Sequence, residues 1–92
     1  MVGFYQLEIY IPGACSLKEK RFVLKSLKDR LRNKFNISIA ELDWNEKWQR
    51  SLLGIVMVSN QHKLIESSFT KILNMLDKDG RIEVIDRHLE YY

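Results

Sequence analysis

Apolar and polar residues alternate over Val2–Ile11, which is the pattern of a half-buried β-strand. One set of side chains points towards a core, namely Tyr5, Leu7, Ile9 and Ile11, and the other set points away from it, namely Phe4, Gln6, Glu8 and Tyr10. Pro12-Gly13 ends this strand. Ser16, followed by Glu19 three residues later, forms a capping box and predicts that a helix starts at Leu17.

The predicted helix carries an apolar stripe at helical spacing, formed by Leu17, Leu24, Leu27 and Leu31, with Val23 at its flank. Lys20 interrupts the pattern, because its phase places it inside the apolar arc. We expect its stem to pack at the rim of the core while its ammonium group reaches a carboxylate or a carbonyl.

The rest of the chain predicts two strands, a second helix and a last strand. Residues 36–44 and 48–59 form strands joined by a turn at 45–47. Asn60 is the expected N-cap of a helix that ends near Lys78, and Gly80 is typical of the position that follows a helix C-terminus. In the last strand, 81–92, the expected inward pair is Ile82 and Val84. The second helix buries a stripe of Ile65, Phe69, Ile72 and Leu76.

The order β-α-β-β-α-β predicts a ferredoxin-like α+β fold, as a single domain over residues 1–92. Right-handed crossovers place both helices on one face of a four-stranded antiparallel sheet, with the first and third strands central. The other face is then open. The alternation assigns to it Phe4, Tyr10, Leu42, Trp44, Leu52, Val56, Val58, Ile85 and Leu89, with Gln6, Glu8, Arg50, Glu83 and Arg87 among them.

This open face is too apolar for the solvated sheet face of a monomer. The pattern favours a homodimer formed sheet to sheet. The alternative is an RNA-stacking platform, which needs aromatic rings on the central strands. The third strand offers Gly54, Val56 and Val58 at those positions, so the platform is the weaker interpretation.

Charge is concentrated in the first helix. Residues 17–35 hold eight basic and two acidic side chains, a local charge of +6 in a chain whose formal net charge is +3. Five of the cations fall within an arc of roughly 80° and span about 21 Å of helix. Glu19 and Asp29 lie outside this arc. The stripe, which consists of Lys18, Arg21, Lys25, Lys28 and Arg32, predicts phosphate or RNA contact, and the alternative is a merely solvated helix face.

Two tryptophans flank the predicted hairpin turn. Trp44 and Trp48, with Arg50 close by, could stack on a base or anchor a protein partner. The favoured interpretation is that the two rings pack against each other across the hairpin and stabilise it.

No constellation predicts catalysis. Cys15 precedes a helix, but neither His62 nor His88 lies on an element that obviously reaches it, so we expect it to fill a tight turn. The two histidines share no metal-ligand spacing. The acidic hairpin residues Glu41, Asp43 and Glu46 carry little weight as a catalytic cluster. We therefore expect no enzyme activity, metal, cofactor or small-molecule substrate.

The single cysteine, the absence of a secretory signal and the absence of a long apolar run predict a cytoplasmic protein without a membrane contact.

Several segments carry a family resemblance. Residues 12–21 (PGACSLKEKR), 30–41 (RLRNKFNISIAE), 48–50 (WQR), 53–55 (LGI) and 58–60 (VSN) resemble the YlxP-like family of small bacterial proteins of unknown function. The resemblance covers nearly the whole chain and implies a ferredoxin-like fold in a cytoplasmic bacterial protein. Genes of this family often lie beside translation-initiation and ribosome-maturation genes, which implies an RNA or ribosome connection. Cys15 stands where the family usually has a histidine.

The leading hypothesis is a non-catalytic RNA- or ribosome-associated accessory protein. It would bind phosphates through Lys18, Arg21, Lys25, Lys28 and Arg32, with Arg50 as a further cation. The alternative is a homodimeric protein-interaction module that uses the open sheet face or the Trp44/Trp48 hairpin.

Overall fold

A computed structural model describes residues 1–92 and contains the six predicted elements in the predicted order. The sheet order is β2-β3-β1-β4 and every neighbouring pair is antiparallel, so the first and third strands are central. The ferredoxin-like prediction is confirmed. The elements are β1 (Val2–Tyr10), α1 (Leu17–Lys34), β2 (Ser38–Asp43), β3 (Arg50–Val58), α2 (His62–Asp77) and β4 (Glu83–Tyr91).

Both helices pack on one face of the sheet and share a single apolar core. The predicted inward residues of β1 and the predicted stripes of both helices are buried, apart from Leu17, which is half-buried. The approach of α2 to β1 is close: an ideal Cβ on Gly3 would lie 2.5 Å from Cγ2 of Ile65. Tyr5 and Phe69 extend this contact, with ring centroids 4.9 Å apart.

The helix caps follow the sequence in α1 and differ from it in α2. The Ser16 side chain accepts a hydrogen bond from the Glu19 backbone N–H at 3.1 Å, as the capping box predicts. The Glu19 carboxylate accepts from the Cys15 N–H at 2.6 Å. In α2 the predicted cap Asn60 is wrong by one position. Gln61 occupies the N-cap without a side-chain cap bond, and Ser59 Oγ accepts from the Gln61 N–H.

A β-bulge in β4 corrects the predicted open face. The register shifts between Glu8 and Ile9, so that Ile9 pairs with Val84 and Glu8 pairs with Asp86, leaving Ile85 as the extra residue. Every side chain beyond the bulge therefore changes face. Leu89 lies opposite buried Tyr5 and packs against the core, and Arg87 lies opposite buried Leu7. The assignment of Leu89 and Arg87 to the open face is wrong.

A second bulge lies in β2, between Glu41 and Asp43, and leaves Leu42 as its extra residue. Leu42 stays on the open face. Its side chain covers Gly54 of the central strand, where an ideal Cβ would lie 2.7 Å from Leu42 Cδ1. Gly54 therefore has a packing role, since the absence of a side chain lets Leu42 lie flat on the sheet.

Candidate nucleic-acid interface

The basic stripe of α1 ends beside the edge strand β2. Arg32 donates to the backbone carbonyl of Ile39 in β2 at 2.9 Å, which fixes this position. The opposite flank of α1 adjoins the α2–β4 connection, where Arg30 lies 3.2 Å from the Asp79 carboxylate. Arg32 therefore lies beside β2, whereas Lys18, at the other end of the stripe, lines a cavity with Gly80 and Arg81 of the α2–β4 connection.

The C-terminal half of the stripe is partly neutralised, although Asp29 lies outside its arc. Lys25 Nζ lies 2.8 Å from Oδ2 of Asp29, one helical turn later. This hydrogen bond from Lys25, together with the nearby charges of Arg32 and Lys28, lowers the pKa of the Asp29 carboxyl. The Lys25–Asp29 pair is exposed on both sides, so it is weak and open to exchange with a phosphate.

The N-terminal half of the stripe is free. Lys18 and Arg21 are exposed, and neither forms an ion pair or a side-chain hydrogen bond with the rest of the chain. Lys28, which is half-buried, also lacks an anionic partner. Within the stripe, the cations most available to an external anion are therefore those at the start of α1.

Lys20 ties this end of α1 to the hairpin. Its side chain is only 1% exposed, and its Nζ lies 2.8 Å from Glu41 Oε2 and 2.7 Å from the carbonyl oxygen of Trp44. Both expected kinds of partner, a carboxylate and a carbonyl, are present. Ser51 Oγ donates to the same Glu41 oxygen at 2.6 Å, so the carboxylate is held from α1 and from β3. These partners compensate the cost of burying the Lys20 ammonium group.

The two tryptophans do not pack against each other, and the favoured sequence interpretation is wrong. The Trp44 ring has Lys47 Nζ at 5.4 Å and the Arg50 guanidinium at 5.1 Å from its centroid, which are cation–π distances. Its backbone is left-handed, with φ of 65°. Trp48 is 54% exposed and forms neither an aromatic pair nor a cation–π contact.

Gln49 connects the hairpin to the start of α1. Its Nε2 donates to the carbonyl oxygens of Pro12 and Ala14, at 3.2 and 3.1 Å, in the loop that leads into the helix. The Ile11 N–H donates to the Gln49 carbonyl at 2.9 Å. The loop after β1 and the β2–β3 hairpin are thus joined at one end of the sheet.

Arg50 belongs to a different surface from the stripe. It pairs with Tyr10 across the sheet on the open face, and its guanidinium forms a salt bridge with Glu8. Its charge is therefore already matched, whereas those of Lys18 and Arg21 are not.

The open face combines an apolar centre with an acidic border. Phe4, Tyr10, Leu52 and Val56 are half-buried there, and Leu42, Val58 and Ile85 are exposed. Along β4, Glu83 lies opposite Tyr10 before the bulge, and Asp86 and Glu90 lie opposite Glu8 and Phe4 beyond it. Acidic side chains repel phosphates, so the helix layer and the sheet face differ in electrostatic character.

The remaining candidate chemistry stays dispersed. Cys15 is exposed and its thiol points to the Gly13 carbonyl, whereas His62 and His88 lie beside Glu66 and Glu90, respectively. No three His, Cys, Asp or Glu side chains are grouped as a metal ion would require. The acidic hairpin residues are separated too, since Glu41 is bound by Lys20, and Asp43 accepts from the Trp44 N–H.

A cavity of about 760 Å³ lies at the same end of the sheet, between the start of α1 and the α2–β4 connection. Exposed Phe22 and the backbone of the loop after β1 line it, with Lys18, Glu19 and Arg81 at its polar rim. No helix of the chain combines the length and the apolar character needed to cross a membrane.

Residues 2–89 match the family described as "Protein of unknown function (DUF503)". The chain belongs to this family. It is also 39% identical over 92 residues, the full length of both chains, to the protein from Bacillus subtilis (strain 168) described as "Uncharacterized protein YlxP". The predicted YlxP-like membership is confirmed. Both descriptions leave the activity open.

Three features of the candidate surface and the sheet were not predicted from the sequence. The Gln49 clamp joins two loops that are far apart in sequence, and no local pattern signals it. The Lys25–Asp29 pair has a recognisable signal, because oppositely charged residues four apart on a helix are neighbours. The β4 bulge has a weaker signal in the adjacent apolar residues Val84 and Ile85, which break strict alternation.

Proposed function

We propose that this protein binds RNA through the basic stripe of α1, by contacts to phosphates and without sequence readout. The observation that carries the proposal is the pair Lys18 and Arg21, which are exposed and have no anionic partner within the chain. Unmatched cations repel one another weakly along a helix, and a polyanion would reverse this cost.

The distribution of the other charges supports the same surface. The acidic side chains of β4 border the opposite face of the sheet, so a polyanion would approach from the side of α1. Lys25 and Arg32 continue the surface towards the C-terminus of α1. Their present partners, an exposed carboxylate and a backbone carbonyl, hold the side chains beside the free cations.

Charge reversal tests this proposal. The variant Lys18→Glu/Arg21→Glu should bind a fluorescently labelled 12-nucleotide RNA at least tenfold more weakly than the parent, measured by anisotropy at low salt. The matched control is Lys63→Glu/Lys71→Glu, which makes the same change in net charge at exposed positions of α2. Circular dichroism should show that both variants are folded. Equal affinities for the two variants would reject the role of α1.

A second candidate function is favoured by the apolar residues of the open face. In this alternative, two copies pair through Phe4, Leu52 and Val56, with exposed Leu42 and Val58 beside them. Leu52→Glu should then convert a dimer into a monomer in analytical ultracentrifugation, and this interaction should resist high salt. A parent chain that sediments as a monomer at high micromolar concentration would exclude this pairing.

A further inference from the structure

The tip of the β2–β3 hairpin is anchored by hydrogen bonds on both sides, although it is exposed. The Trp44 carbonyl accepts hydrogen bonds from the Lys47 N–H at 3.0 Å and from buried Lys20 Nζ at 2.7 Å. Gln49 fixes the other side of the tip through two backbone carbonyls of the β1–α1 loop. A segment anchored in this way presents its side chains in a constant position, which lowers the entropic cost of binding.

Trp48 lies between these two anchors, and its own side chain has no partner. The indole is 54% exposed, and a shallow depression of about 510 Å³ beside it is lined by Glu46, Lys47, Trp48, Gln49 and Arg50. Trp44 is different, because two cations already lie near its ring. An exposed tryptophan on a fixed loop is a surface on which a flat group can stack.

The same anchors hold the hairpin at the end of the fold where α1 begins. Gln49, the neighbour of Trp48 in sequence, contacts the loop that enters α1, and Lys20 reaches the hairpin from the turn that carries Lys18 and Arg21. The fold therefore joins the segment that carries a free aromatic ring to the segment that carries two unmatched cations. Proteins that bind single-stranded nucleic acid use this combination, in which cations follow the backbone and aromatic rings stack on the bases.

We infer that Trp48 stacks on an unpaired base, so that the RNA bound by this protein is single-stranded beside the start of α1. The inference rests on the proposed RNA binding and adds the class of RNA. Bases inside a duplex are stacked on one another and cannot cover an external ring, whereas the bases of a single strand or a loop are available.

The test compares a 12-nucleotide oligouridylate with a 12-base-pair RNA duplex, using the full chain. In the Trp44→Phe variant Trp48 is the only tryptophan, so its fluorescence reports directly on stacking. We expect quenching by the single strand and not by the duplex. Trp48→Ala should weaken single-strand binding about tenfold and leave duplex binding unchanged, and Trp48→Phe should retain most of the affinity.

Three results would overturn the inference. If Trp48→Ala binds both RNAs with the affinity of the parent, no base stacks on Trp48. If RNA binding then still depends on Lys18 and Arg21, the proposed function stands without the stacking site. Equal quenching by duplex and single strand would reject the single-strand preference. Failure of the parent chain to bind either RNA would reject the proposed function itself, and the stacking site with it.

Discussion

Lys20 Nζ lies 2.8 Å from Glu41 Oε2, in a position where the lysine side chain is 1% exposed. This pair joins α1 to the edge strand β2. The same ammonium group also holds the carbonyl of Trp44, so one side chain links the helix, the strand and the hairpin. The positions of the basic stripe and of the hairpin tip both depend on this link.

Lys20→Met tests that dependence. Methionine keeps an unbranched apolar stem but removes the ammonium group, so that the Glu41 carboxylate retains only the neutral donor Ser51 and the Trp44 carbonyl only the Lys47 N–H. We expect the free energy of unfolding to fall by about 2–4 kcal/mol, measured by urea denaturation, because a half-broken buried pair leaves an uncompensated charge.

The matched control is the double variant Lys20→Met/Glu41→Gln. A neutral amide can still accept from Ser51, and no unpaired charge remains. The double variant should therefore recover at least half of the lost stability. The single variant Glu41→Gln is measured as well. If the loss in free energy of unfolding of the double variant equals the sum of the losses of Lys20→Met and Glu41→Gln, the pair does not contribute through its charge.

The sequence was sufficient to predict Lys20's partners because helical phase alone forces its stem into the core, where an ammonium group must find a carboxylate or carbonyl. It was not sufficient for Leu89. A single extra residue in β4 exchanges the two faces of the strand beyond it, and whether the bulge forms depends on pairing with β1, far away in the chain. Strict alternation therefore predicted the first half of the strand and not the second.

The candidate site shows the same limit. The stripe on α1 follows from helical spacing, which is local, and the stripe was predictable. The partnership of Lys25 with Asp29, and the clamp that Gln49 forms, depend on side-chain conformations and on contacts between loops. These contacts decide which cations are free, and only the three-dimensional structure supplies them.

Gly3 is expected to be intolerant of any side chain. A Cβ at this position would lie 2.5 Å from Ile65 Cγ2 and 2.8 Å from Phe69 Cε2, and both of these atoms belong to buried core residues of α2. Gly3→Ala should lower the free energy of unfolding by about 1–3 kcal/mol, because the helix must shift away from β1.

Gly13→Ala is the control for that substitution. No atom lies within 4 Å of a Cβ at Gly13, so its stability should stay within about 0.5 kcal/mol of the parent. Urea denaturation of both variants makes the comparison. A Gly3→Ala chain as stable as Gly13→Ala would contradict the close approach of α2.

Stability should depend on pH through Asp79. Side-chain hydrogen bonds from Arg81 lower the pKa of the Asp79 carboxyl from its ordinary 3.8 to about 2, and Arg30 adds a further favourable charge. A depressed pKa means that the ionised form stabilises the fold. This contribution is present above pH 3.8 and is lost as the pH falls towards 2.

Asp79→Asn should therefore cost about 1–2 kcal/mol at pH 7, a value reduced from the full pKa shift to allow for solvent screening. The difference in free energy of unfolding between parent and variant should become smaller between pH 4 and pH 2, because Asp79 is then protonated in the parent. The other acidic groups titrate in both chains and cancel in this difference. Urea denaturation at pH 7, 4 and 2.5 measures it. A difference that stays constant over this range would show that the aspartate acts through packing alone.

The salt dependence of RNA binding should report how many cations of the stripe contact phosphates. For a single strand, each contact adds about −0.7 to the slope of log K against log salt concentration, because each releases condensed counterions. If Lys18 and Arg21 both contact phosphates, Lys18→Ala/Arg21→Ala should make the slope shallower by about 1.4. Lys63→Ala/Lys71→Ala on α2 should leave it unchanged. A slope that responds equally to the two variants would mean that RNA binds the net charge of the protein rather than one flank of α1.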